Sequence, residues 1–122
     1  MQADEVVRAK NAIESTFEGR VDVYEYVKGL NGSLTTAAEV LTMQSIACRL
    51  SYQNLYPAVQ SKGPDYLRLQ GRLFVASEVD IKEGSKLVIE QNNKTTIYKS
   101  TGAPAVYPTH REYMVELFDN WG

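Results

Sequence analysis

The sequence predicts a mainly β protein: a small antiparallel β-barrel, SH3-like or Greek-key-like, preceded by an N-terminal α-helix. Three observations predict it. Helical spacing is confined to the first residues, short apolar runs rich in β-branched and aromatic residues follow, and Gly, Pro and Asn separate these runs. One helix and six or seven short strands suit a single domain over residues 1–122, with a helical segment at 1–19 and the barrel at 20–122.

The helix is predicted over residues 3–17. Spacings of three, four and seven recur among its apolar residues, which are Val6, Val7, Ala9, Ala12, Ile13 and Phe17. Asp4 is expected to cap the helix, and Gly19 follows where the helix would end.

The first strand is predicted at residues 20–28. An inner face of Val21, Val23, Glu25 and Val27 alternates with an outer face of Asp22, Tyr24, Tyr26 and Lys28. A turn follows at 29–33, and residues 35–44 fit either a helical turn or an irregular edge. Residues 45–53 are predicted as a strand, because Ile46, Cys48, Leu50 and Tyr52 alternate with polar neighbours.

The stretch from 54 to 64 has two prolines, one glycine and no period. Proline cannot donate a ladder hydrogen bond, so a regular strand is not expected here. Loops of this length in compact domains are often functional or mobile.

The middle of the sheet is predicted at residues 67–91. Strands are expected around 73–75 and 87–89, on either side of a bend at 82–84, with Val79 and Ile81 alternating on the way into the bend. Asn92-Asn93 predicts a hairpin turn. Residues 100–108 are expected to be a connection, and residues 112–120 a closing strand with Trp121 as a terminal anchor.

Composition excludes several classes of protein. The net charge is −2, which does not favour general binding to nucleic acid or to an anionic membrane. No apolar run approaches a bilayer-spanning length, and the N-terminus lacks a hydrophobic signal core. One cysteine, Cys48, suits a reducing cytoplasm, and eight tyrosines suit half-buried strands or interfaces.

The residues that carry chemistry are scattered. His110 is the only histidine in the sequence and is expected to be structural or exposed. Cys48 is expected to be a small buried hydrophobe. Glu112 and Glu116 are expected to face solvent. No zinc spacing or phosphate loop occurs, so we expect no enzyme, no metal and no cofactor.

An alternative comes from basic residues around the middle of the chain, namely Lys62, Arg68, Arg72, Lys82 and Lys86. With Tyr66 and Phe74 among them, they could suit a barrel that binds single-stranded nucleic acid. Interleaved acidic residues disfavour this alternative.

The runs VDIKEGSKLVIEQ and TTIYKSTGAPAVYPTHREYMVEL resemble small head–tail connector proteins of tailed phages and prophages. The resemblance is to the stopper, or head-completion, family, including proteins of defective prophages of Gram-positive bacteria, and covers about residues 20–119. It implies a virion protein that forms a ring below the portal, is assembled in the cytoplasm of the bacterial host, and closes or gates the DNA channel. Its partners would be the portal or adaptor protein, tail proteins and double-stranded DNA, which would pass through the channel without sequence readout. An adaptor or a tail terminator is the alternative within the same class.

By order along the chain, the resemblance places a channel loop at 54–64, with Asn54, Tyr56, Gln60 and Lys62 as candidate channel residues. An ordinary flexible loop is the alternative. The first candidates for ring interfaces are Tyr24, Tyr26, Tyr66 and Tyr107, and core tyrosines are the alternative for each. The N-terminal helix is expected to pack on the barrel or on a neighbouring subunit.

Overall fold

The computed structural model describes residues 3–27, 38–52 and 70–121. One helix, α1 (Ala3–Glu14), precedes six strands, which are β1 (Gly19–Val27), β2 (Ala38–Tyr52), β3 (Gln70–Ala76), β4 (Lys86–Gln91), β5 (Lys94–Val106) and β6 (His110–Leu117). The strands close into an antiparallel barrel in the order β1-β2-β3-β6-β5-β4. The predicted fold class is therefore confirmed.

The barrel interior is filled by alternate residues of every strand. These buried apolar residues are Val21, Val23, Cys48, Leu50, Leu73, Val75, Leu87, Ile89, Tyr98, Tyr113 and Val115, joined by Val79 and Ile81. Burying a Val, Leu or Ile side chain contributes about 1.5–3 kcal/mol, so this interior accounts for most of the stability of the fold.

Val79 and Ile81 close one end of the barrel. Since β3 and β4 lie on opposite sides of the closed barrel, the segment between them must cross its end. Val79 and Ile81 point inward from this crossing and are 9% and 3% exposed. The two residues therefore cap the barrel end and are not part of a strand. In the sequence they alternate with Asp80 as strand residues would, so the pattern did not reveal this role.

The cap is attached to the wall of the barrel by Tyr113. Its hydroxyl accepts a hydrogen bond from the backbone N–H of Ile81 at 2.8 Å and donates one to the carbonyl of Val79 at 3.0 Å. Ser100 adds a second attachment, because its hydroxyl donates to the carbonyl of Lys82 at 2.7 Å. The Tyr113 hydroxyl thus supplies partners to backbone groups of the crossing, while the carbonyl of Lys82 also accepts the N–H of Ser85 at 3.1 Å.

The two barrel ends carry different connections. The chain passes from β1 to β2, from β3 to β4 and from β5 to β6 at the capped end. It passes from β2 to β3 and from β4 to β5 at the opposite end. The predicted Asn92-Asn93 hairpin turn lies there, and both residues adopt positive φ, 57° and 63°.

Two pairs of strand segments, here called ribbons, extend past the end of β4 at the capped end, although residues 110–114 of the second also pair with β3 in the barrel wall. β1 pairs with β4 only as far as Tyr24 but with β2 as far as Val27, which gives the first ribbon, residues 25–27 and 38–40. β5 pairs with β4 as far as Lys99 but with β6 as far as Val106, which gives the second ribbon, residues 101–106 and 110–114. Both ribbons expose apolar side chains, including Val27 and Val106.

Several predicted boundaries were wrong at the start of the chain. The helix ends at Glu14, three residues before Phe17, and Asp4 lies inside its first turn, where its carboxylate accepts the N–H of Glu5. On β1, Val21 and Val23 are buried as predicted, but Val27 is 46% exposed because it lies in the first ribbon. The turn at 29–33 and the loop at 54–64 lie outside the described residues.

Two predictions about strand extent were also wrong. Within the ambiguous stretch, residues 38–44 belong to β2, which is continuous over 15 residues through a bulge where Ser45 has φ of 54° and its N–H bonds Asp22. The predicted connection at 100–108 is strand as far as Val106. The bulge around Gly102 (φ 73°) and Pro104 hides the alternation that identifies a strand.

We predict that Tyr113→Phe lowers the free energy of unfolding by about 1–3 kcal/mol, because the N–H of Ile81 and the carbonyl of Val79 lose their partner. Urea unfolding followed by circular dichroism measures this loss. Tyr107→Phe is the control, since Tyr107 is 45% exposed and its change should stay within about 0.5 kcal/mol. Equal unfolding midpoints for the two variants would contradict the role given to Tyr113.

Candidate functional site

The sequence-predicted site residues divide into three groups. Asn54, Tyr56, Gln60, Lys62 and Tyr66 lie outside the described residues. Tyr26 and Tyr107 are each 45% exposed, and Tyr24 is half-buried on the same outer face of β1 as Tyr26. Among the described tyrosines, Tyr98 and Tyr113 lie in the core, and neither was among the four interface candidates.

Tyr24 and Tyr26 belong to an aromatic surface on the outside of β1 and β4. We call it the tyrosine–tryptophan surface, and its members are Tyr24, Tyr26, Lys86, Phe118 and Trp121. Trp121 stacks on Tyr26 with ring centroids 5.3 Å apart and meets Phe118 edge-on at 5.2 Å. The Lys86 ammonium lies 5.4 Å from the ring centroids of both Tyr24 and Phe118, as a cation–π contact requires.

Glu39 joins this surface from the first ribbon. Its carboxylate accepts hydrogen bonds from Lys86 Nζ at 2.8 Å and from Trp121 Nε1 at 3.3 Å. The hydrogen bond from Lys86 lowers the pKa of the Glu39 carboxyl. The C-terminal residues are thus attached to the ribbon, as the prediction of Trp121 as an anchor implies.

Beside Trp121 the surface opens into a groove of about 350 Å³. Its lining combines backbone of the cap with charged and aromatic side chains, and the residues are Glu25, Tyr26, Lys82, Glu83, Gly84, Ser85 and Trp121. Lys82 and Glu25 approach to 3.7 Å across the groove.

A second groove, of about 380 Å³, separates α1 from the barrel. We call it the helix groove, and it is lined by Ala12, Ile13, Thr16, Arg49, Phe74, His110 and Glu112. The helix buries none of its residues completely, and Val7 is 54% exposed. Helix α1 therefore packs on β3 and β6 through one side only and leaves apolar surface uncovered.

Lys10 attaches the helix to the capped end of the barrel. Its ammonium bonds Glu14 on the helix at 2.6 Å and Glu78 beside the cap at 2.9 Å. The hydrogen bonds to Glu14 and Glu78 raise the pKa of Lys10, and the ammonium in turn lowers the pKa of Glu78. The sequence left open whether the helix packs on its own barrel, and this ion pair shows that it does.

Four side chains stack along the barrel wall, and three of them, Arg49, Phe74 and His110, line the helix groove. The Arg49 guanidinium lies 4.8 Å from the centroid of Phe74, the Phe74 ring stacks on His110 at 5.6 Å, and His110 stacks on Tyr107 at 4.8 Å. Adjacent strands place these residues side by side, because Arg49 pairs with Phe74 and β3 pairs with β6. The stack extends from β2 across β3 to the tip of the second ribbon.

The Glu112 carboxylate makes the polar contacts next to this stack. It accepts a hydrogen bond from Arg72 at 3.1 Å, and its other oxygen lies 2.7 Å from His110 Nε2, while Thr109 Oγ1 lies 2.9 Å from His110 Nδ1. The Glu112 side chain is only 13% exposed, so the prediction that it faces solvent was wrong. Neighbouring residues of β3 and β6 cover the Glu112 side chain. The prediction rested on the sequence spacing between Glu112 and Glu116, which carries no information about these neighbours.

No group of three or more metal-ligating side chains converges within the ranges 3–27, 38–52 and 70–121. Over the same ranges, no helix is long and apolar enough to cross a membrane. Cys48 lies in the barrel interior as predicted and is fully buried, and this burial raises the pKa of its thiol to about 12.

Sequence reasoning missed the stack of Arg49, Phe74 and His110. Arg49 and Phe74 do alternate with inward-facing residues, so the sequence carried a signal for their outward direction. Their proximity depends on the register between β2, β3 and β6, which one sequence does not give.

Fold and surfaces together define a small, helix-preceded, six-stranded antiparallel barrel whose described surface includes the helix groove and the groove beside Trp121. No model of a known protein family and no curated protein sequence matches the chain. Among solved structures, the chain is similar to the phage-like element PBSX protein xkdH from Bacillus subtilis. The two share 14% identity with a TM-score of 0.45, over 80% of this chain and 91% of that protein. A likeness this distant assigns neither a family nor a function.

We predict that the Cys48 thiol resists modification in the folded protein. With a pKa of about 12 and no exposed area, its thiolate fraction at pH 8 falls about 1,000-fold below that of a free cysteine. Reaction with a chromogenic disulfide reagent, in buffer and in concentrated urea, measures the difference. Rapid reaction in buffer would contradict the inward direction of Cys48.

Proposed function

We propose that the chain is a structural protein of a tailed phage or prophage virion, and that a ring of its copies joins head to tail. In this role it is a connector of the stopper type: it lies below the portal, closes or gates the DNA channel and presents the surface on which the tail docks. The first support is the sequence resemblance of residues 79–91 and 95–117 to such connectors.

The observation that carries the proposal is the difference between the two barrel ends. The capped end presents two ribbons with exposed Val27, Val40, Val106 and Tyr107. The opposite end presents the narrow Asn92-Asn93 turn and the point where β2 stops at Tyr52 and β3 starts at Gln70. A connector must bind unlike proteins above and below, so unlike ends suit this role.

The two sequence runs quoted for the resemblance form the cap and three strands of the barrel. Residues 79–91 supply the cap and β4, and residues 95–117 supply β5 and β6. The resemblance thus falls on the cap and on three neighbouring strands, which together determine how the barrel closes. Because these residues form the cap and the barrel wall, the resemblance favours a barrel architecture shared with the connectors over a shared surface motif.

In the proposed ring, residues 54–64 are the channel loop and Asn54, Tyr56, Gln60 and Lys62 are its channel residues. The loop belongs to the connection between β2 and β3, which leaves and rejoins the barrel at the end opposite the cap. Double-stranded DNA would pass without being read. A net charge of −2 suits this passage, because strong phosphate contacts would retard the DNA.

The proposal includes no enzymatic activity and no cofactor. His110 and Glu112, the most enclosed titratable pair of the described surface, are engaged with Thr109 and Arg72. Side chains held in this way support the strand packing around them. The portal or adaptor protein, tail proteins and further copies of the chain are the proposed partners, at the head–tail junction of a virion assembled in the host cytoplasm.

We expect the purified chain to join the portal protein encoded in the same genome as a closed ring of fixed stoichiometry. Native mass spectrometry of the chain alone, and of the chain mixed with portal, measures both the association and the number of copies. Association with a tail-tube protein in place of the portal would assign the chain to the tail side, as a tail terminator.

Two controls distinguish the remaining alternatives. A ring protein of similar charge from an unrelated source should not recruit the chain. A single-stranded oligonucleotide titrated at low and high salt tests the nucleic-acid alternative, whose binding would fall steeply with salt. Salt-dependent oligonucleotide binding without portal or tail association would overturn the connector proposal.

A further inference from the structure

We propose that neighbouring copies of this chain contact each other head to tail, with the tyrosine–tryptophan surface of one copy seated in the helix groove of the next. The inference rests on the proposed function, since it names the surfaces through which a ring of copies would form. It concerns the sides of the barrel, whereas the portal and tail proteins would meet its ends.

The first argument is the position of the two surfaces. In the closed order β1-β2-β3-β6-β5-β4, strand β1 lies opposite β6 and strand β4 lies opposite β3. The tyrosine–tryptophan surface lies on β1 and β4, and the helix groove lies on β3 and β6 with α1. The two surfaces therefore face away from each other, as a contact that repeats from copy to copy requires.

The second argument is their apolar character. Tyr26 is 45% exposed and stacks on Trp121 at the edge of its groove, so it projects as a rigid pair of rings. The helix groove is lined by the apolar side chains of Ile13 and Phe74 and has a volume of about 380 Å³. Tyrosine and tryptophan are enriched in the centres of protein interfaces, where they contribute large areas at low entropic cost.

The third argument is charge. The groove beside Trp121 carries two carboxylates, Glu25 and Glu83, against one ammonium, Lys82. The helix groove carries Arg49 and Glu112, and the Glu112 carboxylate is already bound by Arg72. The groove beside Trp121 therefore carries an excess of negative charge. The helix groove, together with Arg72, carries an excess of positive charge.

Arg49 is the group best placed to meet a neighbouring carboxylate. Its Nε atom is buried and has no hydrogen-bond partner among the described residues, while its guanidinium lies flat on Phe74. A guanidinium held on an aromatic ring keeps its remaining donors directed sideways. A carboxylate such as Glu83, which is exposed, would complete this arrangement from the next copy.

Paired cysteines test the contact. One variant carries Ala12→Cys in the helix groove and another carries Lys82→Cys in the groove beside Trp121, where the Lys82 side chain is 78% exposed. The native Cys48 does not interfere, because it is fully buried. The variants are mixed at a protein concentration of about 1 mM, where weak contacts are populated, and then oxidised.

We expect the disulfide between positions 12 and 82 to form about tenfold faster than either homodimer, because the contact raises the effective concentration of that pair alone. Thr95→Cys, exposed on the β4–β5 hairpin, is the matched control and should link at the collisional rate with both variants. A chain carrying both Ala12→Cys and Lys82→Cys should give a ladder of covalent oligomers, and adding Arg49→Glu should slow it to the control rate.

Equal rates for the 12–82, 12–12, 82–82 and control pairs would overturn the contact, and so would dominance of either homodimer. This test needs no portal, so its failure is distinct from failure of the proposed function. Portal association without the 12–82 disulfide would leave the connector role standing and refute these surfaces. The 12–82 disulfide without portal association would support the contact and refute the role.

Discussion

The hydrogen bonds of the Tyr113 hydroxyl determine how this barrel closes at one end. The chain must cross that end to pass from β3 to β4, and a crossing segment brings backbone polar groups over an apolar interior. Tyr113 supplies a donor to Val79 and an acceptor to Ile81 from within the wall. The cap is therefore held to the barrel wall at Val79 and Ile81, the two residues that fill the end of the interior.

Apolar spacings of three, four and seven were sufficient to predict the helix, and the alternation of apolar and polar residues was sufficient to predict most strands and the buried position of Cys48. It failed where the structure departs from a single period: at the bulge of Ser45, at Gly102 and Pro104, and at Val79, which alternates without being in a strand. The surfaces were predicted less completely than the fold. Stacks such as Phe74 on His110 depend on strand register, which only the folded sheet provides.

In the proposed connector, contacts with other proteins are divided between the ends of the barrel and its sides. The ends differ because the Greek-key order sends three connections to the capped end, with both ribbons, and leaves the other end to the Asn92-Asn93 turn and the β2–β3 connection. The sides differ because α1 covers β3 and β6 while the C-terminal aromatic residues cover β4 and β1. A barrel with four unlike faces suits an assembly in which each copy meets several different neighbours.

The order of strands around the barrel also sets the order of events during synthesis. β1 closes against β4, since Arg20 pairs with Glu90, and β6 fills the gap between β3 and β5. The ribosome releases β6 after every other strand, so the wall stays incomplete until residue 117 has emerged. The helix groove and its aromatic stack are built on that last strand. A nascent copy therefore lacks this side until translation has passed β6, so the contact proposed for the helix groove would form only between finished barrels.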